Sequence, residues 1–262
     1  MSDKIILSIQ DLSIQFGGLK AVDAVTFDIK EHELLGLIGP NGAGKTTVFN
    51  MISGFYRADS GNIIFADEKI NDLTAAQVNR KGLARTFQNI RLFRSLSVIE
   101  NVLMALQQKK HNGHLKDWLH SLFNTSYHQQ IEKDLDLEAR ELLNIFQLDK
   151  YCSEMAGSLS YGAQRKLEIV RALATRPQLL ILDEPAAGMN HQETEDLKKL
   201  IRFIKEKFNL TILLIEHDMK LVMTICDRIV VLNRGKKIAD GLPQDIKSLP
   251  DVIEAYLGKR PV

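Results

Sequence analysis

The stretch ELLGLIGPNGAGKTT, residues 33–47, decides the fold. Residues 33–39 are a short continuous apolar run, the pattern of a strand buried on both faces. TTVFNMISG (46–54) then reads as a helix ending at Gly54. Between them stands G-x-x-x-x-G-K-[ST], with a strand before it and a helix after it, the setting this motif requires. Glycines let the backbone wrap round phosphates, and successive amides at a helix start point at an anion. The phosphate cradle therefore runs from Gly39 through Pro40, Asn41, Gly42, Ala43 and Gly44 to Lys45, Thr46 and Thr47. Lys45 reaches the outer phosphates as a point charge, and Thr46 offers a hydroxyl to Mg²⁺.

Outward from this loop the chain alternates. ILSIQDLSIQF (6–16) and AVTFDIK (24–30) have the alternation of half-buried strands, and NIIFADEKI (62–70) reads as a strand pair or a bent strand. Thr74–Gln77 and Ser97–Glu100 are capping boxes that open helices. From Ser97 to about Ala174 the pattern is helical, with Ala139, Leu142, Leu143 and Phe146 on one face. The polar stretch 107–130 reads as a partly helical insertion. LLILD (179–183), TILLIE (211–216) and RIVVLNRG (228–235) are apolar runs, with a helix over 191–208. That alternation predicts a parallel sheet with helices on its faces, interrupted by a helical lobe. The expected division is a core over 1–87 and 165–262 and a lobe over 88–164, with an insertion at 107–135.

Thirty-four basic and 33 acidic side chains leave a formal net charge of +1, which gives no reason to expect nucleic acid as a partner. Two distant cysteines, Cys152 and Cys226, suggest a reducing compartment rather than a disulfide scaffold. The N-terminus shows no secretion-signal pattern, and the apolar runs are far shorter than the ~18 residues that span a bilayer. A soluble protein, seated against a membrane only through a partner, is expected. The seven histidines show no zinc spacing, and there is no G-x-S-x-G elbow.

Asp183 and Glu184 close a buried strand. Neighbours on a strand point to opposite faces, so both serve one site only if the chain turns there, and Pro185 favours such a break. Asp183 then holds Mg²⁺ through water, while Glu184 orients and deprotonates an attacking water. His217 follows TILLIE at the same sheet edge, in reach of a terminal phosphate; a structural histidine is the alternative. Gln88, in ARTFQN, either coordinates Mg²⁺ or holds water while transmitting movement of the lobe, or is a plain linker residue. Phe16 either stacks on adenine or packs in the core. LSYGAQRK (159–166) looks like a second anion-holding helix start: Ser160 can cap it, Gly162 allows close approach, and Arg165 and Lys166 add charge.

The cradle, Gln88, LSYGAQ, LLILDEP and His217, in this order and spacing, resemble the ATPase subunit of ABC transporters over essentially the whole chain. The resemblance implies an α/β fold: a P-loop NTPase (RecA-like) core with an antiparallel β subdomain, a C-terminal helix and an inserted helical lobe. It implies ATP and Mg²⁺ as ligands, ATP hydrolysis as the reaction, and head-to-tail pairing with a second ATPase subunit, the same or different. Ser160, Tyr161, Gly162, Ala163 and Gln164 would then face the partner's ATP. RTFQNIRLF (85–93), SVIENVLMA (97–105), DEPAAGMN (183–190), LLIEHDMKLVM (213–223) and PDVIEAYLG (250–258) resemble the subfamily for branched-chain amino acid uptake. That implies integral membrane permease subunits, a periplasmic or extracellular solute-binding protein, no nucleic acid, and a peripheral place on the cytoplasmic face of the inner (plasma) membrane. Another ABC ATPase, such as that of lipopolysaccharide export, and a catalytically weak ATP-binding partner in a heterodimer are the alternatives. Many family members have Asp where Asn190 stands, so here a carboxylate is lost and hydrogen bonding is kept.

Overall fold

A computed structural model describes residues 4–110 and 125–257. They divide into two compact units, one built from the segments up to Arg85 and from Gln178 onward, the other from residues 86–177. The expected division at 164/165 would cut a helix, Tyr161–Ala174, that lies whole in the second unit. The central part of the expected insertion, residues 111–124, lies outside the described residues.

The first unit carries two sheets. One is antiparallel, in the order β2 (Leu19–Lys30), β1 (Ile5–Phe16), β4 (Ser60–Phe65), β5 (Glu68–Lys69). The strand pair expected over 62–70 is β4 and β5, turned by Ala66 and Asp67 at φ 47° and 64°, the left-handed pair that matches the twist of a two-residue hairpin. The other sheet runs β10 (Lys236–Gly241), β9 (Arg228–Asn233), β3 (Leu34–Ile38), β8 (Thr211–Ile215), β7 (Leu179–Asp183), β6 (Leu83–Arg85). All its pairings are parallel except that of β10 with β9. Every residue of β3, β7 and β8 is buried, which is why these strands read as unbroken apolar runs. A single core cluster takes side chains from both sheets: Leu7, Ile9, Phe27 and Phe65 from the antiparallel one, Leu35, Leu37, Ile181 and Leu213 from the parallel one.

Helices α1 (Lys45–Ile52) and α2 (Ala75–Arg80) belong to this unit. The capping box at α2 forms, with the Thr74 amide donating to Gln77 Oε1 at 2.8 Å.

The second unit packs α3 (Val98–Lys110), α4 (Thr125–Ile145) and α5 (Tyr161–Ala174) around Val98, Val102, Ala139, Leu143, Phe146, Leu167 and Val170. Its capping box also forms: the Ser97 amide donates to Glu100 Oε2 at 2.7 Å, and the Glu100 amide donates back to Ser97 Oγ at 3.3 Å. Arg165 and Glu168 on α5 make an ion pair at 2.8 Å with both side chains buried. Arg165 also donates to the carbonyls of Phe87 at 2.5 Å and Gln88 at 2.8 Å, and Glu168 accepts the amides of Phe87 and Arg91, each at 3.2 Å. Burial pushes the Glu168 carboxyl up, and its salt bridge and amide donors oppose that. This web is why α5 goes with residues 86–91 and not with the sheets.

In the first unit again, α6 (His191–Lys207), α7 (Met219–Ile225), α8 (Pro243–Ile246) and α9 (Pro250–Leu257) follow. Asn190 caps α6: its Oδ1 accepts the Glu193 amide at 2.9 Å, and its own amide donates to Glu193 Oε2 at 2.9 Å. Asn and Asp are nearly equal in that role, which accounts for the exchange without a change in fold. Asn190→Ala is expected to lower unfolding free energy by about 1 kcal/mol, and Asn190→Asp to leave it unchanged, as read by the midpoint of chemical denaturation.

Candidate active site

Because β3, β7 and β8 are parallel, their carboxyl ends share one edge of the sheet. Open α/β sheets bind ligands at that edge. The glycine loop leaves β3 there, Asp183 ends β7, and His217 stands two residues beyond β8. Gly39 passes so close to the Leu232 carbonyl that a Cβ would lie 2.2 Å from its oxygen. Gly44 sits at φ 99°, with the Ala21 carbonyl 2.7 Å from where a Cβ would stand. The turn after β9 braces the loop, as the Gly235 amide donates to the Ala43 carbonyl at 3.0 Å.

Lys45 opens α1, with no acidic residue in the first helical turn. Its ammonium is buried and donates to the carbonyls of Gly39 at 2.6 Å and Pro40 at 3.0 Å. Burial pushes its pKa down, and the nearby charges of Glu184 and Asp183 oppose that. A buried ammonium that donates to two loop carbonyls fits an incoming polyphosphate. Thr46 is exposed at the same helix start. Among the described residues no three His, Cys, Asp or Glu side chains gather as a metal cage.

The turn that brings Asp183 and Glu184 to one site is made by Glu184 itself, at φ 44°, and not by Pro185 alone. A left-handed glutamate costs about 1–3 kcal/mol and is the kind of strain found at functional sites. The Glu184 amide donates to the Ile215 carbonyl at 2.9 Å, extending the β7–β8 pairing by one bond. Glu184 Oε2 lies 3.7 Å from Nδ1 of His217, whose side chain is more than half exposed.

Arg85, at the end of β6, is a residue that sequence reasoning missed. Its guanidinium reaches Asp183 Oδ2 at 3.2 Å with both side chains nearly buried. It also donates to Asn50 Oδ1 and Ser53 Oγ, each at 2.8 Å, and lies 4.0 Å over the Phe49 ring. Arg85 thus fixes the Asp183 carboxylate against α1. A signal existed: Arg85 is the only charge in β6, one strand from LLILD.

Phe16 is not a core side chain. It is 45% exposed and stands edge-on to Tyr56, ring centroids 5.5 Å apart, so two aromatic faces are offered where one was expected.

Gln88 and the 160–164 stretch belong to the second unit. Gln88 is exposed, and its backbone is held by Arg165. Ser160 occupies the cap position of α5, yet its hydroxyl does not cap the helix; Gln164 Nε2 instead donates to the Leu159 carbonyl at 2.8 Å. One expectation is corrected here. Arg165 adds no charge for an anion, because it is fully buried and its donors go to Glu168, two carbonyls and the Tyr161 hydroxyl.

The fold and the sheet edge together define a P-loop nucleotide-binding protein. Residues 22–187 match the family described as ABC transporter, and residues 236–261 match one described as branched-chain amino acid ATP-binding cassette transporter. This chain belongs to the ABC transporter family, as one of its ATP-binding, ATP-hydrolysing subunits. It is 47% identical to the high-affinity branched-chain amino acid transport ATP-binding protein BraF of Pseudomonas aeruginosa over 97% of this chain and 98% of BraF. It is 46% identical to LivG of Escherichia coli, a protein of the same description, with the same coverage. The lipopolysaccharide export ATP-binding protein LptB of E. coli is 33% identical over 97% of each chain. Among solved structures, the ADP conformation of MJ1267, an ATP-binding cassette of an ABC transporter, superposes with a TM-score of 0.81 at 29% identity, over 97% of this chain and 99% of that one.

Added ATP should raise the melting temperature of the wild-type chain, by the equivalent of about 2.7 kcal/mol at a hundredfold excess over Kd. Lys45→Met is expected to abolish most of that shift while leaving the ATP-free melting temperature no lower, as differential scanning fluorimetry would show.

Proposed function

We propose that this chain is the ATP-hydrolysing motor subunit of a branched-chain amino acid importer. The observation that carries the reading is the gathering of Lys45, Asp183, Glu184 and His217 at the carboxyl ends of three adjacent strands in one parallel sheet. The match at 236–261 and identities of 46–47%, against 33% to the export ATPase, favour uptake of branched-chain amino acids.

In this reading Lys45 and the amides of the glycine loop hold the β- and γ-phosphates of ATP. Mg²⁺ would be held by Thr46 and Asp183 and would supply charge neutralisation to the phosphates. Arg85 keeps Asp183 in place. Glu184 orients the attacking water and takes its proton, and His217, beside Glu184, donates a hydrogen bond toward the terminal phosphate. Phe16 and Tyr56 offer rings to the base.

The signature residues Ser160 to Gln164 serve the nucleotide of a second ATPase subunit. An uncapped helix start outside a glycine-loop cradle does not retain a triphosphate alone, but it can complete a site already holding one. Movement passes from Gln88 through the Arg165–Glu168 web to α5, and thence to permease helices. No helix among the described residues is long and apolar enough to cross a membrane; in this reading the permeases hold the chain at the cytoplasmic face.

Glu184→Gln tests the chemistry. Binding of ATP should persist, with turnover lower by at least about 10²-fold, the scale of losing one well-placed group. Near-normal hydrolysis by this variant would remove Glu184 from the mechanism.

A further inference from the structure

Glu216 stands between the last residue of β8 and His217, and the roles assigned above do not use it. Its side chain is 1% exposed. Oε1 accepts the amide of Ala186, two residues beyond Glu184, at 2.9 Å. Oε2 accepts the amide of His217 at 3.2 Å and lies 3.9 Å from Nδ1 of the same residue. One carboxylate therefore ties the loop that leaves β7 to the loop that leaves β8. It does so directly behind the Glu184–His217 pair, whose separation is 3.7 Å.

The chemistry of the bridge asks for an ionised acid. Two backbone N–H groups from two different loops point at the two oxygens. A carboxylate has an acceptor for each, whereas an amide has only one and turns an NH₂ against the other donor. Burial pushes the Glu216 carboxyl up, while the amides of Ala186, His217 and Asp218 and the charge of His217 pull it down. Folding thus bears the desolvation of this group, and an uncharged isostere would relieve it.

We propose that Glu216 is a positioning residue for hydrolysis: its two oxygens fix the spacing between the Glu184 loop and the His217 loop, and so hold the imidazole beside the carboxylate. The inference rests on the reading of Glu184 and His217 as the pair that handles water and phosphate. Glu216 itself touches neither. Reacting groups displaced by an ångström lose about a hundredfold in rate without losing ground-state binding. The signature of this role is therefore a fall in kcat at constant KM.

The test compares Glu216→Gln, His217→Ala and the double variant in the assembled transport complex, measuring kcat, KM for ATP and melting temperature. Glu216→Gln should lower kcat by about tenfold to a hundredfold with KM unchanged, a loss larger than any change in melting temperature accounts for. In the His217→Ala background it should add little, since its effect runs through His217. Wild-type kcat for Glu216→Gln, beside an impaired His217→Ala, would overturn the inference alone. A full multiplicative loss in the double variant, or a kcat that falls only with the melting temperature, would also overturn it. Wild-type turnover by His217→Ala would instead remove the role of His217, and this inference with it. If Glu216→Gln does not fold, Glu216→Asp probes the same bridge, keeping the charge but one methylene short of spanning both loops. Loss of kcat at constant KM is expected there, and unchanged kcat would overturn the inference.

Discussion

A positive charge in a place with little water is the constraint on which the site depends. The Lys45 ammonium is buried at the start of α1, where two loop carbonyls accept its donors and two carboxylates lie near enough to oppose the effect of burial. A cation so placed is poorly solvated by the protein alone and well solvated by phosphate oxygens. The surrounding geometry serves that mismatch. Glycine at 39 and 44 lets the loop pass within contact distance of the strands beside it, and the turn after β9 holds it from the outside. Glu184 accepts a left-handed backbone so that its carboxylate, together with Asp183, faces the same edge.

Much of this was legible in the sequence, for a local reason. The cradle, Asp183, Glu184 and His217 each follow a short apolar run, and a parallel sheet brings the carboxyl ends of such runs to one edge. Capping boxes at Thr74 and Ser97 could be read because cap and partner are three residues apart. What could not be read depends on pairing across long stretches of chain. Arg85 meets Asp183 from 98 residues away, and Glu216 meets Ala186 from 30. Beyond the lone charge of β6, nothing in the local pattern announces either bond. The same limit explains Arg165, which reads as a charge offered beside a helix start and is in fact enclosed by residues 77 and 78 positions earlier. Phe16 differs again, since the Tyr56 ring it meets comes from the loop between α1 and β4.

The polar contacts divide into two groups with different work. Arg85–Asp183, Glu216–Ala186 and Glu184–His217 belong to the unit with the sheets and, in the proposed reading, set the geometry of the reacting groups. Arg165–Glu168 belongs to the helical unit and fastens the Gln88 segment to the helix that carries LSYGAQ. In the proposed reading, Gln88 and the helix start offered to another subunit thereby lie in one compact unit. In the proposed reading this gives the chain its dependence on a partner: it holds most of one site and lends the cap of another.

The dependence of turnover on concentration tests that claim most directly. With its partner ATPase present at equal concentration, hydrolysis per chain should rise steeply with total protein and level off once pairs have formed. A rate per chain that stays constant through dilution into the range where sedimentation shows only single chains would contradict it.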